Sequence, residues 1–524
     1  MKYQVSNFKV SPKDYKNLKS LIQNKFHLHE FSYKILQKSI DARKKEKVVL
    51  LYKLLIETNE KITSPDVTIY KDNNIQMEYP IWKYKDRPVI IGFGPSGMFA
   101  SLYLARCKAN PIIIERGSKI EDRKKRVEDF LKNKVLSNNS NVQFGEGGAG
   151  TFSDGKLTTN LKDPYINFIL NEFYIHGAKE DILYDAKPHI GTDYLEQIVK
   201  NIRLEIESLG GEFYFDTTFY KLEEENDSVI VYAKGEKEFQ FKTSHVLLGI
   251  GHSAKDTIRY LYNEIGLNME QKQFSMGVRI EHKREKIDYA QYGEFSKYLP
   301  SAYYKLAAHN SDGRGVYTFC MCPGGYVLAS QSDNNTIVVN GMSNNDRLGE
   351  NSNSAILVDV KPSDYDKGNV LDGIDYQEKY EKLAYEISKD YKAPANLVSE
   401  FLAGKVANSL RSINTTYPHG IIFTDFNKCL PDFVVSNIKF GIKEFDKKLH
   451  GFNDPDAILI GIESRSSSPV RIIRDLNRKS SNPYIYPMGE GAGYAGGITS
   501  AALDGLKTAM EILRENSHEW FRII

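Results

Sequence analysis

The residues best suited to chemistry lie in three places along the 524-residue chain. Cys320 and Cys322 flank Met321 at the end of a strand-like run, Gly315-Val316-Tyr317-Thr318-Phe319-Cys320. Alternation along a strand sets both thiols on one face. There they pass electrons to a bound redox group, close a strained disulfide, or serve as small buried hydrophobes. The segment Arg465-Ser466-Ser467-Ser468-Pro469-Val470-Arg471 gathers two guanidinium groups and three hydroxyls. Such forks grip carboxylate or phosphate in bidentate fashion. With Arg279 and His282 they predict a site for an anionic substrate group. The competing reading makes them interdomain ion pairs or contacts to a cofactor pyrophosphate. Asp154 and Lys156 close a glycine-dense run and are either cofactor contacts or residues that fix the loop. No metal site is expected, because the Cys-x-Cys has no nearby histidine and the eleven histidines are scattered.

The strongest spacing begins at Val89-Ile90-Ile91, an apolar run expected of a central parallel strand. Gly92-Phe93-Gly94-Pro95-Ser96-Gly97 follows, then a helix from Met98 to Lys108, then the strand Ile112-Ile113-Ile114 ending in Glu115. The first glycine permits a tight turn, the second lets backbone approach a pyrophosphate, and the third packs helix on strand. The helix N-terminus offers N–H groups and a positive dipole end to phosphate, and Glu115 is placed to accept the ribose hydroxyls. Glu115-Arg116-Gly117 so early in the chain leans towards FAD over NAD.

Two further glycine clusters stand apart from this cradle. Phe144 to Lys156 includes Gly147, Gly148, Ala149, Gly150 and Thr151, so backbone can lie against a flat ring or a phosphate. Gly489-Glu490-Gly491-Ala492-Gly493-Tyr494-Ala495-Gly496-Gly497 opens into a final helix at Ile498, and that helix start can stabilise negative charge. Lys156 would stabilise an anionic reduced flavin if it lies near N1. Gly249-Ile250-Gly251-His252 has two readings: a second Rossmann turn for NAD(P)H, or a strand-end glycine motif that touches the first cofactor after a β-meander. The meander-like pattern of residues 211–248 favours the second.

Together FGEGGAGTFSDGK, GIGHSA, TFCMCPGG, RSSSPVRI and GEGAGYAGGI resemble a family of uncharacterised bacterial FAD-dependent dehydrogenases. That family lies within the flavoprotein superfamily whose C-terminal Gly-Asp or Gly-Glu motif holds the flavin ribityl chain. The resemblance covers most of the chain and implies FAD, with Glu490 in the acid position and the helix after Gly497 facing the flavin N1/O2 edge. It implies no particular reaction.

These loops need elements to position them. An α/β architecture is expected: a small N-terminal α+β domain (1–80), then an FAD-binding Rossmann-like domain in two parts (81–267 and 456–524). A mixed β/α cap domain (268–455) is inserted between those parts. In the first domain, residues 3–10 alternate as a half-buried strand, residues 12–25 carry helical spacing, and Val48–Ile56 reads as a buried strand. Residues 71–86 read as a linker, 376–402 as helical, and 497–516 as an amphipathic helix.

Composition is that of a globular protein, 41% hydrophobic and 26% charged, with net charge +2. Four scattered cysteines and no apolar leader predict a cytoplasmic protein with no membrane span. Residues 1–90 hold 18 Lys and Arg against 10 Asp and Glu, a basic lobe read as solvated surface, with a nucleic-acid partner as the alternative. The expected function is an FAD-dependent oxidoreductase passing hydride between a small-molecule substrate and flavin N5, with NAD(P)H a candidate transient donor. The alternatives are a flavin-dependent RNA-modifying protein, a non-catalytic FAD-binding regulator, or a reductase of lipid-like polyenes.

Overall fold

The computed structural model describes residues 1–72 and 75–523, with side chains as far as Glu515. The first domain is an antiparallel sheet in the order Phe31–Asp41, Val49–Thr58, Lys2–Val10, Val67–Ile69, with the helix Leu18–Phe26. Tyr3, Val5, Phe8 and Val10 point inward beside Leu50, Tyr52, Leu54 and Ile56. The apolar run at 48–56 is therefore buried on alternate residues only, as fits a sheet with one face on a core. This domain is stitched to the next one. Lys38 donates its N–H to the Tyr184 carbonyl at 2.7 Å and accepts from Ala186 at 2.8 Å.

Of the stretch 71–86, residues 73 and 74 lie outside the described residues. Its far end is pinned: the Trp82 and Tyr84 rings pack on His245 at 5.3 and 4.3 Å.

Five parallel strands form the nucleotide-binding sheet, in the order Ile485–Pro487, Val246–Leu248, Val89–Ile91, Ile112–Ile114, Glu212–Tyr214. Period-two alternation divides their side chains. Ile90, Ile113 and Leu247 pack under the helices Pro95–Arg106 and Ile498–Ile523. Val89, Ile91, Ile112 and Ile114 pack under a three-stranded meander through Phe219, Leu222, Val229 and Val231. Helices on one face and a meander on the other leave the strand ends open at the glycine turns.

The cap is a seven-stranded mixed sheet in the order Ala307–His309, Gly315–Cys322, Asn351–Val360, Phe274–Lys283, Ile458–Glu463, Ala393–Leu397, Ile421–Phe423. Two details depart from the sequence reading. Ile458–Glu463 pairs with Phe274–Lys283 inside the cap sheet, so the chain returns to the nucleotide fold after that strand and not at 456. The helical stretch near 376–402 is a helix only over Asp372–Glu386. The strand Ala393–Leu397 and a short helix Val398–Leu402 follow, because Pro394 removes a helix donor and Lys389 and Tyr391 turn to positive φ.

Candidate functional site

The strand Val89–Ile91 ends at Gly92, with φ of +92°. A Cβ there would lie 2.3 Å from the Gly249 carbonyl oxygen, so only glycine lets the two strand-end turns meet. Gly94 N-caps the following helix, no side chain caps it, and Gly94, Pro95 and Ser96 line a cavity. The helix start thus presents N–H groups and a positive dipole end to whatever fills that space. At the end of the next strand Glu115 is buried and accepts N–H bonds from Phe93, Gly117 and Gly145 at 2.8 to 2.9 Å. These bonds tie both glycine loops to one carboxylate.

The second loop is held from beneath. Arg123, fully buried, donates to the carbonyls of Asn141, Val142, Glu146 and Gly148. The Glu146 carboxylate receives the Ile120 N–H and the Arg203 guanidinium. Gly148 and Gly94 then face each other closely, since a Cβ on Gly148 would lie 2.9 Å from the Gly94 Cα.

The third loop is fixed by Asp504, which accepts the Gly489 N–H at 2.8 Å and pairs with Arg474 and Arg478. His252 approaches the Glu490 carboxylate at 3.5 Å, and its buried Nε2 has no hydrogen-bond partner among the described residues.

One cavity of about 700 Å³ joins these parts, within the size range of ligand sites. Glu115, Arg116, Thr217 and Thr257 line it, and so do Gly496, Gly497, Ile498 and Lys156. The residues present fit FAD. Gly92, Gly94 and Gly148 keep the cradle clear of side chains where its loops meet, the helix start offers backbone N–H groups, and His252, with its orphaned Nε2, lines the same cavity.

On the cavity wall Lys156 lies 3.1 Å from Asp154, whose carboxylate is also gripped by Arg347 and by the Ser343 hydroxyl. Burial opposes the Asp154 charge, but Lys156 and Arg347 outweigh it and hold the carboxyl well below the usual range. Burial likewise opposes the Lys156 ammonium, and Asp154 outweighs that to raise it. Cys320 and Cys322 also line the cavity. The strand bulges between Phe319 and Cys322, with Cys320 at φ +41°, so the simple alternation expected there is broken. Both are free thiols. Burial pushes Cys320 up to about 12 and raises Cys322.

Not every expected residue reaches the cavity. Gly92, Gly94, Glu115 and Arg116 line it, as do Gly148, Ala149, Gly150 and Asp154, and Gly249, Gly251 and Glu490. Gly97, Gly147 and Thr151 lie one layer behind: Gly97 packs on the Gly92 carbonyl and Gly147 on Thr151. Gly489, Gly491 and Ala492 form the back of the third turn, with Gly491 against Gly251.

Of the cations expected to bind substrate, only Arg465 lines the cavity, and it is committed to Glu381, Asp333, Ser253 and Ser332. Arg279 is fully buried on Glu463 at 2.7 Å. His282 is buried with Nε2 at 2.7 Å from the Phe452 carbonyl, and Arg471 pairs with Glu270. The strand Val246–Leu248 sits inside the one parallel sheet, so the Gly249–Gly251 turn belongs to the same cradle and builds no separate nucleotide domain. Among the described residues no helix is long and apolar enough to cross a membrane, and no group of three acidic, histidine or cysteine side chains is arranged for a metal.

Sequence reasoning missed Arg123, Glu381, Asp504, Tyr303 and Lys305. Asp504 left one trace, a polar pair with Thr508 on the buried side of the last helix. The others carry no local signal.

A family model described as FAD-dependent protein, C-terminal domain-like, matches residues 273–466. A second, described as a domain of unknown function (DUF8436), matches residues 2–57. An uncharacterized protein of Clostridium beijerinckii is 42% identical over 496 residues, 92% of each chain. Among solved structures, CtdE in complex with FAD aligns over 82% of this chain and 85% of its own, at 12% identity and a TM-score of 0.33. A geranylgeranyl bacteriochlorophyll reductase-like protein from Thermoplasma acidophilum aligns over 82% and 79%, at 11% identity and a TM-score of 0.35.

Proposed function

Because the chain belongs to the family of that clostridial protein and carries an FAD cradle beside an FAD-dependent C-terminal-like domain, we propose that it is an oxidoreductase acting on a small molecule held under the cap. The observation that carries this reading is the continuity of the cavity. It runs from the pyrophosphate cradle at Gly94 to a wall of the cap sheet at Tyr317–Cys322 without a partition. Bound FAD supplies an isoalloxazine N5 able to take or give hydride.

The chain's own residues do the rest. Gly94, Gly148 and the helix start hold the pyrophosphate, and Glu115 sets the spacing of the two loops around it. Lys156, anchored by Asp154, places a fixed positive charge at the flavin end, where negative charge develops on reduction. Tyr317 and Phe319 exclude water from the cap side. The thiols at 320, half-buried, and 322, buried, are protonated at neutral pH and act as packing there.

The test is anaerobic titration of the FAD-loaded protein with NADH and NADPH while flavin absorbance is followed. Bleaching identifies a nicotinamide donor that enters through the shared cavity. A protein that holds no FAD after reconstitution, or whose bound flavin is reduced by dithionite but by no organic donor, overturns the enzyme reading.

A further inference from the structure

Part of the cavity wall, here called the wing, is formed by residues of the cap sheet and of the chain around Lys156. Its wall there is aromatic and cationic: Tyr303, Tyr317 and Phe319, with Lys156 and Lys305. The Tyr317 and Phe319 rings meet edge to face at 6.3 Å. Tyr303 has the Lys187 ammonium 4.5 Å and the Lys156 ammonium 5.9 Å from its ring centroid, so positive charge surrounds this ring.

Negative charge is scarce in the wing. Asp154 is the one cavity-lining carboxylate there, and Lys156 and Arg347 consume it. Glu115 and Glu490 line the cavity nearer the cradle, where they are bonded to backbone N–H groups. Lys305 has no ion-pair or hydrogen-bond partner among the described residues, and the Tyr317 hydroxyl is committed to Ser275 at 2.7 Å. A ligand in the wing therefore meets aromatic faces and an exposed ammonium that no described protein group pairs. Flat rings stack on such faces, and a carboxylate supplies the missing counter-charge.

We propose that the wing binds a planar organic anion, an aromatic carboxylate, with its ring among Tyr303, Tyr317 and Phe319 and its carboxylate on Lys305. This rests on the oxidoreductase reading of the same cavity and assigns its substrate class. It moves anion recognition from the arginines, which the fold has already paired, to a lysine that it has not.

The test uses FAD-loaded protein titrated with benzoate, benzyl alcohol and benzylamine, followed by calorimetry and by perturbation of the flavin spectrum. Benzoate is expected to bind saturably and about tenfold or more tighter than the alcohol, a typical return for one charge-assisted contact. Lys305→Met should weaken benzoate by about the same factor and leave benzyl alcohol and FAD affinity unchanged, while Lys305→Arg retains benzoate. Equal binding of the three probes, no benzoate binding, or benzoate binding indifferent to Lys305→Met overturns the inference. Those results leave the oxidoreductase reading standing if donors still bleach the flavin. Loss of FAD binding itself would strike that reading instead.

Discussion

Nζ of Lys156 stands 3.1 Å from Oδ2 of Asp154, and Arg347 grips both oxygens of the same carboxylate. One buried acid thus fixes one half-buried ammonium on the cavity wall. Lys156→Met should keep FAD bound and lower the flavin midpoint potential by about 30 mV or more, the equivalent of one tenfold change in a two-electron couple. Potentiometric titration against reference dyes reads this directly, and an unchanged potential removes the electrostatic role. Asp154→Asn should cost more, about 3 to 5 kcal/mol of stability, because two cations lose their buried partner.

Arg279 and Glu463 form a second buried pair, at 2.7 Å between neighbouring cap strands. Burial raises the Glu463 carboxyl although Arg279 opposes it, so this pair specifies the cap more than it stabilises it. Glu463→Gln should lower the denaturation midpoint by the equivalent of about 3 kcal/mol with the visible flavin spectrum unshifted. A spectral shift without loss of stability would place Arg279 in the cofactor's environment after all.

Acid should destabilise the fold through buried neutral histidines. Burial holds both His245 and His282 down to about 4, against about 6.5 in an unfolded chain. Below that value the unfolded chain takes up protons that the native state refuses, so stability present above pH 6.5 is lost as pH falls towards 4. The loss is on the order of 3 kcal/mol per histidine. Urea midpoints measured across this range should flatten in His282→Gln, and curves parallel to the parent would contradict the assignment.

The half-buried Cys320 thiol gives a kinetic prediction. With its thiol pushed up to about 12, almost no thiolate exists near pH 8.5, where an ordinary thiol is about half ionised. Iodoacetamide should label Cys320 in the native protein on the order of a thousandfold more slowly than in guanidinium. Native labelling at the unfolded rate would return the two cysteines to consideration as a redox pair.

How much of this was legible in the sequence depended on whether the cause was local. Gly92, Gly94 and Glu115 were readable because a tight turn, a close approach and a strand-end acid each demand a residue type at a set spacing. The strand Ala393–Leu397 reads as helix because its neighbours Leu383 and Phe401 continue an apolar pattern that Pro394 interrupts. Arg279 reads as a substrate contact because its partner Glu463 lies 184 positions away, and pairing over that distance leaves no mark in composition or periodicity. Arg123 was missed for the same reason: its acceptors are backbone carbonyls, which every residue possesses.

Glu381 has a consequence for how small molecules reach the flavin. This fully buried carboxylate on a cap helix receives Lys255 from the nucleotide fold at 3.0 Å and Arg465 from the connecting segment at 2.8 Å. Arg259 adds bonds to Glu378 and Asp375 on the same helix. A cap that swung away like a lid would strip three buried charges of their partners, at a cost of several kcal/mol. The cap therefore has no cheap hinge. Small molecules should therefore reach the flavin without a swing of the cap, and the rate of exchange should be set by side chains on the cavity wall rather than by the motion of a domain.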